Sequence, residues 1–414
     1  MPEQVVKRGE TIKLGRVEGD LQVGRKATIK AESGGKVVVA GDVVFEGGAT
    51  IDCSLECNAI ETRAVPHTGG TVVVHGDLTV RESVDVADSL EVSGKATADG
   101  FDVGGHLQAE AVISKRVRVG GHVRISDIVE SESVDVAGHL SVMGKVKIVD
   151  LHVGGHARVG GGAITGSTQI RGHFEANSNL EYGELQTFGH VSLPANSRGN
   201  RLSVLGRVEF EGDAYCKVMD VKGIVEVKGD LSTDELDVPG KMHVKGSLKV
   251  LNGLNILGLL EVGQRIDCQK LVVEGRLSAG SAFVVGEADV SGELKTSRGV
   301  KSSTITVRRG ARVTGPLVAE RVEVGEKPGF GQWPSPWSEV RQRIGQMTNV
   351  EDVYGRRVTI GAYSQAKHVF GDEVQIESGS VAEQVTYTKD LSLPSKFYIH
   401  EPPKKVPKLP DPPL

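Results

Sequence analysis

The sequence predicts an all-β fold, a single-stranded triangular β-helix (solenoid) with seventeen-residue coils in parallel, in-register stacking. Three observations predict it. Glycine recurs at Gly121, Gly138, Gly155, Gly172, Gly189, Gly206, Gly223 and Gly240, at intervals of seventeen. Apolar residues recur in apolar–polar–apolar pairs at fixed distances from those glycines, the period-2 signature of strands with one buried face. The composition supplies 54 glycines but only 4% aromatics, a mixture suited to short strands and many corners and poor in the rings that fill globular cores.

The repeat can be followed back through Gly105 and Asp88 to Gly41 and Gly24, and forward through Gly258, Gly275 and Gly292 to Gly310. Counting from the glycine, position 3 reads Val123, Leu140, Ala157, Phe174, Val191, Val208, Val225 and Met242. Position 5 reads Ile125, Val142, Val159, Ala176, Leu193, Phe210, Val227 and Val244. Positions 14 and 16 repeat the pattern with Val134, Leu151, Leu185 and Val136, Val153, Ile170. A third pair at positions 9 and 11 includes Val146 with Ile148, Leu248 with Val250, and Phe283 with Val285. Three short strands per coil close a triangle, and the next coil stacks on it at the ordinary strand spacing of about 4.8 Å. Glycine at position 1 is expected at a corner, through positive φ or a close backbone approach. The faces are spaced six, five and six residues. That argues against the left-handed hexapeptide helix of acyltransferases, which needs eighteen per coil.

The repeat organises the chain into a segment over 1–14, a β-helix over 15–325, an insertion over 326–354 and further coils over 355–392. A loop is expected at 61–70, around Pro66, and an irregular coil at 193–200. The insertion carries both tryptophans, Trp333 and Trp337, and a short helix is expected from Ser335, with Trp337, Val340, Ile344 and Met347 on one face. The tail over 393–414 holds seven prolines and is expected to be extended or disordered. Net charge is −5 and the pI near 6.2, so no basic field favours nucleic acid. Four scattered cysteines, the absence of an apolar leader in Met1–Lys7 and the lack of any long apolar run point to a cytoplasmic protein.

The most distinctive polar feature is histidine at position 2: His106, His122, His139, His156, His173 and His190. Successive coils place these imidazoles in a column. One reading is a metal-binding or pH-sensing ladder. The other is a corner residue copied with the repeat and stacked in the neutral form, favoured because no cysteine or carboxylate column completes a four-ligand site. Cys216 and Cys268 both occupy position 11 and are expected in the core, whereas Cys53, Cys57 and His67 lack a fourth ligand for a metal. Carboxylates such as Asp135, Asp220, Asp237, Glu175, Glu209 and Glu226 fall at outward positions between core residues. No nucleophile motif, phosphate loop or dinucleotide fingerprint is present, so neither an enzyme nor a cofactor is expected.

The repeats GHLSVMGKVKI (138–148), GIVEVKGDL (223–231) and GDEVQIESG (371–379) resemble those of the bactofilins, polymer-forming cytoskeletal proteins of bacteria with relatives in archaea. The resemblance spans about 15–387 and would make this chain an unusually long member. It implies a right-handed triangular β-helix that assembles end to end, without nucleotide, into non-polar filaments. The implied partners are further copies of the chain, and other cytoskeletal or envelope-associated proteins. Some members attach to membrane through an apolar N-terminal peptide. Met1-Pro2-Glu3-Gln4 does not match that peptide, so membrane attachment is not expected. Coil ends would supply the contacts, with Val374, Ile376, Val385 and Tyr387 as candidates and Trp333 and Trp337 as a partner-binding alternative. The second functional reading is a scaffold that does not polymerise and binds partners through its side, tail or tryptophan insertion.

Overall fold

A computed structural model describes residues 4–63, 70–326, 347–395 and 398–413. Among them every regular element is a β-strand, and the forty-five strands pair in parallel throughout. The fold is a parallel β-solenoid of about 22 turns with coils of about 17 residues. Its three faces follow directly from the apolar pairs. On the first, His122–Ile125 pairs with the start of His139–Val153, matching Val123 to Leu140 and Ile125 to Val142. On the second, Val129 meets Val146 and Ser131 meets Ile148. On the third, Val134 meets Leu151 and Val136 meets Val153. The inward residues of these pairs are almost wholly buried, so each face contributes a continuous apolar column. β-branched side chains suit such a pleated, half-buried surface.

The position-1 glycines owe their place to close approach. A Cβ at Gly138, Gly155 or Gly172 would collide with the carbonyl oxygen of the corresponding glycine one coil earlier, and none of these residues has a positive φ.

Two compact units divide the chain, one over residues 1–201 and 205–208, the other over 202–204 and 209–414. In the first unit, coil stacking already includes the segment expected to precede it. Gln4–Val6 pairs with Leu21–Val23, and Thr11–Leu14 pairs with Thr28–Ala31. The reason is visible in Val6 and Leu14, which carry the same inward alternation and are buried. Of the loop expected at 61–70, Glu61 and Thr62 belong to the strand Ile60–Thr62, and residues 64–69 lie outside the described set. A corner that the repeat did not reveal swells at Gly34 and Gly35, both at φ near +70°, so that Thr28 pairs with Thr50 instead of a residue seventeen further on.

Of the irregular coil expected at 193–200, residues 194–196 form a turn with Asn196 at φ +63°, and the regular strand Ser197–Val204 follows. Its polar residues fit inside. Ser197 is fully buried, its hydroxyl donating to the Pro194 carbonyl at 2.9 Å, and the missing side chain of Gly199 leaves room for the ring of Tyr182.

In the second unit, Leu317–Glu326 pairs directly with Thr348–Ile360, matching Leu317 to Val353 and Val324 to Ile360. The described strands on either side of residues 327–346 therefore keep the register of the stack. The helix expected from Ser335, and with it Trp333 and Trp337, lies outside the described residues. Beyond this point the coils shorten to sixteen, with Val353, Val369 and Val385 stacked in sequence.

One expectation is corrected here, and a second, that the tail is extended or disordered, narrows to the extended form. Phe283 and Val285 do not face inward: Ala282 and Val284 do, while Val285 is 73% exposed. A register shift between Ala279 and Ser281 removes one residue from that corner, and a one-residue slip turns each side chain to the opposite face. Phe283 instead lies under the Arg265 guanidinium, 4.0 Å from the ring centroid. The tail, expected to be extended or disordered, pairs with the preceding coil. Tyr398–Ile399 adds to Val381–Ala382, and Lys404–Lys405 adds to Thr386–Tyr387.

Candidate functional site

The histidine column forms as the repeat requires. His106, His122 and His139 are register partners in turn, as are His156, His173 and His190. Each opens its first-face strand just after the corner, pointing outward while the next residue points into the core. Ring centroids of successive pairs are 4.9, 4.7, 5.0, 6.0 and 5.0 Å apart. His122 with His139 and His173 with His190 are stacked within 6° of parallel, whereas His106 meets His122 nearly edge-on.

That geometry bears on the metal-binding reading of the column and leaves the pH-sensing one open to test. Imidazole lone pairs lie in the ring plane, so face-to-face rings direct them side by side and not toward one ion. Among the described residues no group of three or more His, Cys, Asp or Glu side chains converges to hold a metal. The column is a ladder of stacked aromatic faces. The backbone N–H of His122 donates to Nδ1 of His106 at 3.4 Å, an arrangement that needs that nitrogen unprotonated.

The surroundings are mixed in charge. A shallow depression lies over His139, His156 and His173, floored by Leu140 and Ala157 and edged by Ser141, Arg158 and Glu175. Arg158 donates to Glu175 through Nε at 3.0 Å and Nη2 at 2.6 Å, bridging two coils beside the rings. Burial, followed by the neighbouring His190, pushes the pKa of His173 down from its ordinary value near 6.5. Nothing here is shaped to enclose a substrate.

Elsewhere the outward carboxylates form cross-coil rungs. Lys115 reaches Asp99 at 3.0 Å, Lys228 reaches Glu211 at 2.6 Å, and Arg276 reaches Glu293 at 2.9 Å. Such solvent-exposed pairs contribute little to stability and serve mainly to fix register. A second device repeats at corners, three of the four being Gly–Asp pairs. The carboxylates of Asp77, Asp150, Asp213 and Asp230 accept the backbone N–H of Lys95, Ser167, Asp230 and Ser247 one coil later, at 2.7–2.9 Å.

The cysteines sit in the core. Cys53, Cys57, Cys216 and Cys268 are all buried, and burial pushes the Cys57 and Cys268 thiols up to about 12. They are small core residues with suppressed reactivity.

The expected coil-end contacts are placed differently. Val374, Ile376 and Val385 are buried core residues, and Tyr387 is half-buried beside the paired Lys404–Lys405 strand. The backbone N–H groups of Tyr398, His400, Glu401 and Val406 donate to the carbonyls of Ser380, Ala382, Glu383 and Tyr387 at 3.3, 3.1, 3.0 and 2.9 Å. Gln384 Nε2 and Lys404 Nζ both reach Glu401, and the Lys405 ammonium lies 5.8 Å from the Tyr387 ring centroid. Sequence reasoning did not anticipate this strap. Its only local signals are the Tyr398–Ile399 pair between proline-rich stretches and the lysines at 404 and 405.

Among the described residues no helix is long and apolar enough to cross a membrane. No family model, no curated protein and no solved structure matches the chain.

Proposed function

We propose that this chain is a structural protein of the cytoskeletal type, similar to bactofilins, that assembles end to end into nucleotide-independent filaments or scaffolds. One observation carries the reading. The stack is held by parallel pairing from coil to coil, and the edge of the strand Val381–Ser392 already accepts further parallel strands, those of the tail. An edge that accepts one strand in this sense is a template for another. Ion-paired outward faces and shallow surface depressions agree with a structural role better than with catalysis. Further copies of the chain are the principal partners, and a cytoplasmic location suits the buried free thiols.

The same tail favours a second reading, a scaffold that does not polymerise, because a covered edge no longer acts as a template. Negative-stain electron microscopy of the purified full chain without nucleotide separates the two. Filaments support the first reading. Discrete particles of constant length at every protein concentration, in this chain and in a variant whose tail is released from the edge, would overturn it.

A further inference from the structure

We infer that the C-terminal strap over 398–406 occupies the docking surface for the first coil of a second copy of this chain, so that assembly proceeds head to tail and only when the strap lifts. This rests on the end-to-end reading above.

The strap is built to be displaced. It touches the underlying coil through two strands of two residues each, whereas the coil beneath presents a twelve-residue strand, Val381–Ser392. Tyr398 remains 58% exposed, and Lys404 and Lys405 are also exposed. Little apolar surface therefore holds the strap, and few backbone bonds resist its exchange for a full coil.

Its own outer edge is a poor template. Pro402, Pro403 and Pro407 lack an N–H and interrupt the row of donors that a further strand would need, the means by which natural sheets blunt their edges. While seated, the strap ends the ladder; once lifted, it uncovers an edge that accepts parallel strands.

Charge identifies the competitor. The coil under the strap, 377–392, carries Glu377, Glu383 and Asp390 against one base, Lys389. The first coil, 4–20, carries Lys7, Arg8, Lys13 and Arg16 against three acids, Glu10, Glu18 and Asp20. Opposite signs on the two surfaces favour their encounter, and head-to-tail stacking continues the parallel sense of the coils. The resulting filament is polar, unlike the non-polar filaments that the resemblance to bactofilins implies.

Two full-length variants test this. Val381 and Tyr398 are register partners with partly exposed side chains, so Val381→Cys/Tyr398→Cys would lock the strap by a disulfide while the four native thiols stay buried. Ile399, half-buried and registered on Ala382, is the strap's apolar anchor, and Ile399→Asp would release it. Light scattering and electron microscopy should show no assembly of the oxidised double-cysteine chain, with assembly restored by reductant. Ile399→Asp should assemble at a protein concentration lower by about tenfold, as expected when a mostly closed docking state is opened. Equal assembly of oxidised and reduced chains would overturn the strap inference and leave end-to-end assembly standing. Absence of assembly in every chain, Ile399→Asp included, would overturn both.

Discussion

At His173, burial and the neighbouring imidazole of His190 both oppose a proton, with Arg158 and His156 acting in the same sense and Glu175 against them. A histidine with a depressed folded pKa binds fewer protons folded than unfolded. Its stabilising contribution is present above the unfolded value near 6.5, and it is lost as pH falls through that value toward the folded one. Thermal melting followed by circular dichroism should therefore show a falling Tm as pH drops from about 7.5 to 5.5. His173→Gln should flatten that dependence; an unchanged profile would remove His173 as its source. A second residue-scale weakness lies in the third-face column, where the buried hydroxyls of Thr168 and Thr187 have no hydrogen-bond partner among the described residues. Thr187→Val exchanges that hydroxyl for a methyl of similar shape and should stabilise the fold by about 1 kcal/mol in a denaturant titration.

At the scale of elements, the corners absorb variation and the faces do not. Leu317–Glu326 stacks on Thr348–Ile360 in register although 21 residues separate them in sequence. Replacing residues 327–346 with a short glycine–serine linker should leave the β-sheet circular dichroism unchanged, with Tm shifted by only a few degrees. A collapse of the spectrum would mean that the insertion is needed for the coils to stack. The histidine ladder, the aspartate corner bonds and the cross-coil ion pairs follow the same logic. In each, parallel in-register stacking brings together residues about one coil apart in sequence.

For the molecule as a whole, the question is where the ladder stops. The proposed head-to-tail contact joins a basic coil to an acidic one, and exposed charges are screened once the Debye length falls well below their separation. Raising ionic strength from about 0.05 to 0.5 M should therefore weaken assembly of the Ile399→Asp chain, measured by sedimentation. Salt-independent assembly would show that backbone pairing and apolar contact dominate the junction.

The coils were legible in the sequence because strand facing is a local property. An inward residue at every second position, repeated each seventeen, leaves one way to bury Val123, Leu140 and Phe174 together. The histidine column followed from the same arithmetic. Other features were decided only in three dimensions. Removal of one residue near Ala279–Ser281 exchanged Phe283 and Val285 for Ala282 and Val284, since a strand's facing reverses with a single-residue slip. Ring angles along the ladder, which argue against a shared metal ion, depend on side-chain rotation that spacing does not specify. The strap was hidden for a related reason. Tyr398–Ile399 and Lys404–Lys405 have too little apolar pattern to specify a strand alone and become strands because an unpaired coil edge lies within reach. The sequence determined the coil through local alternation. The tertiary structure decided how one end of the ladder is covered, because backbone hydrogen bonding along an edge carries no side-chain signature.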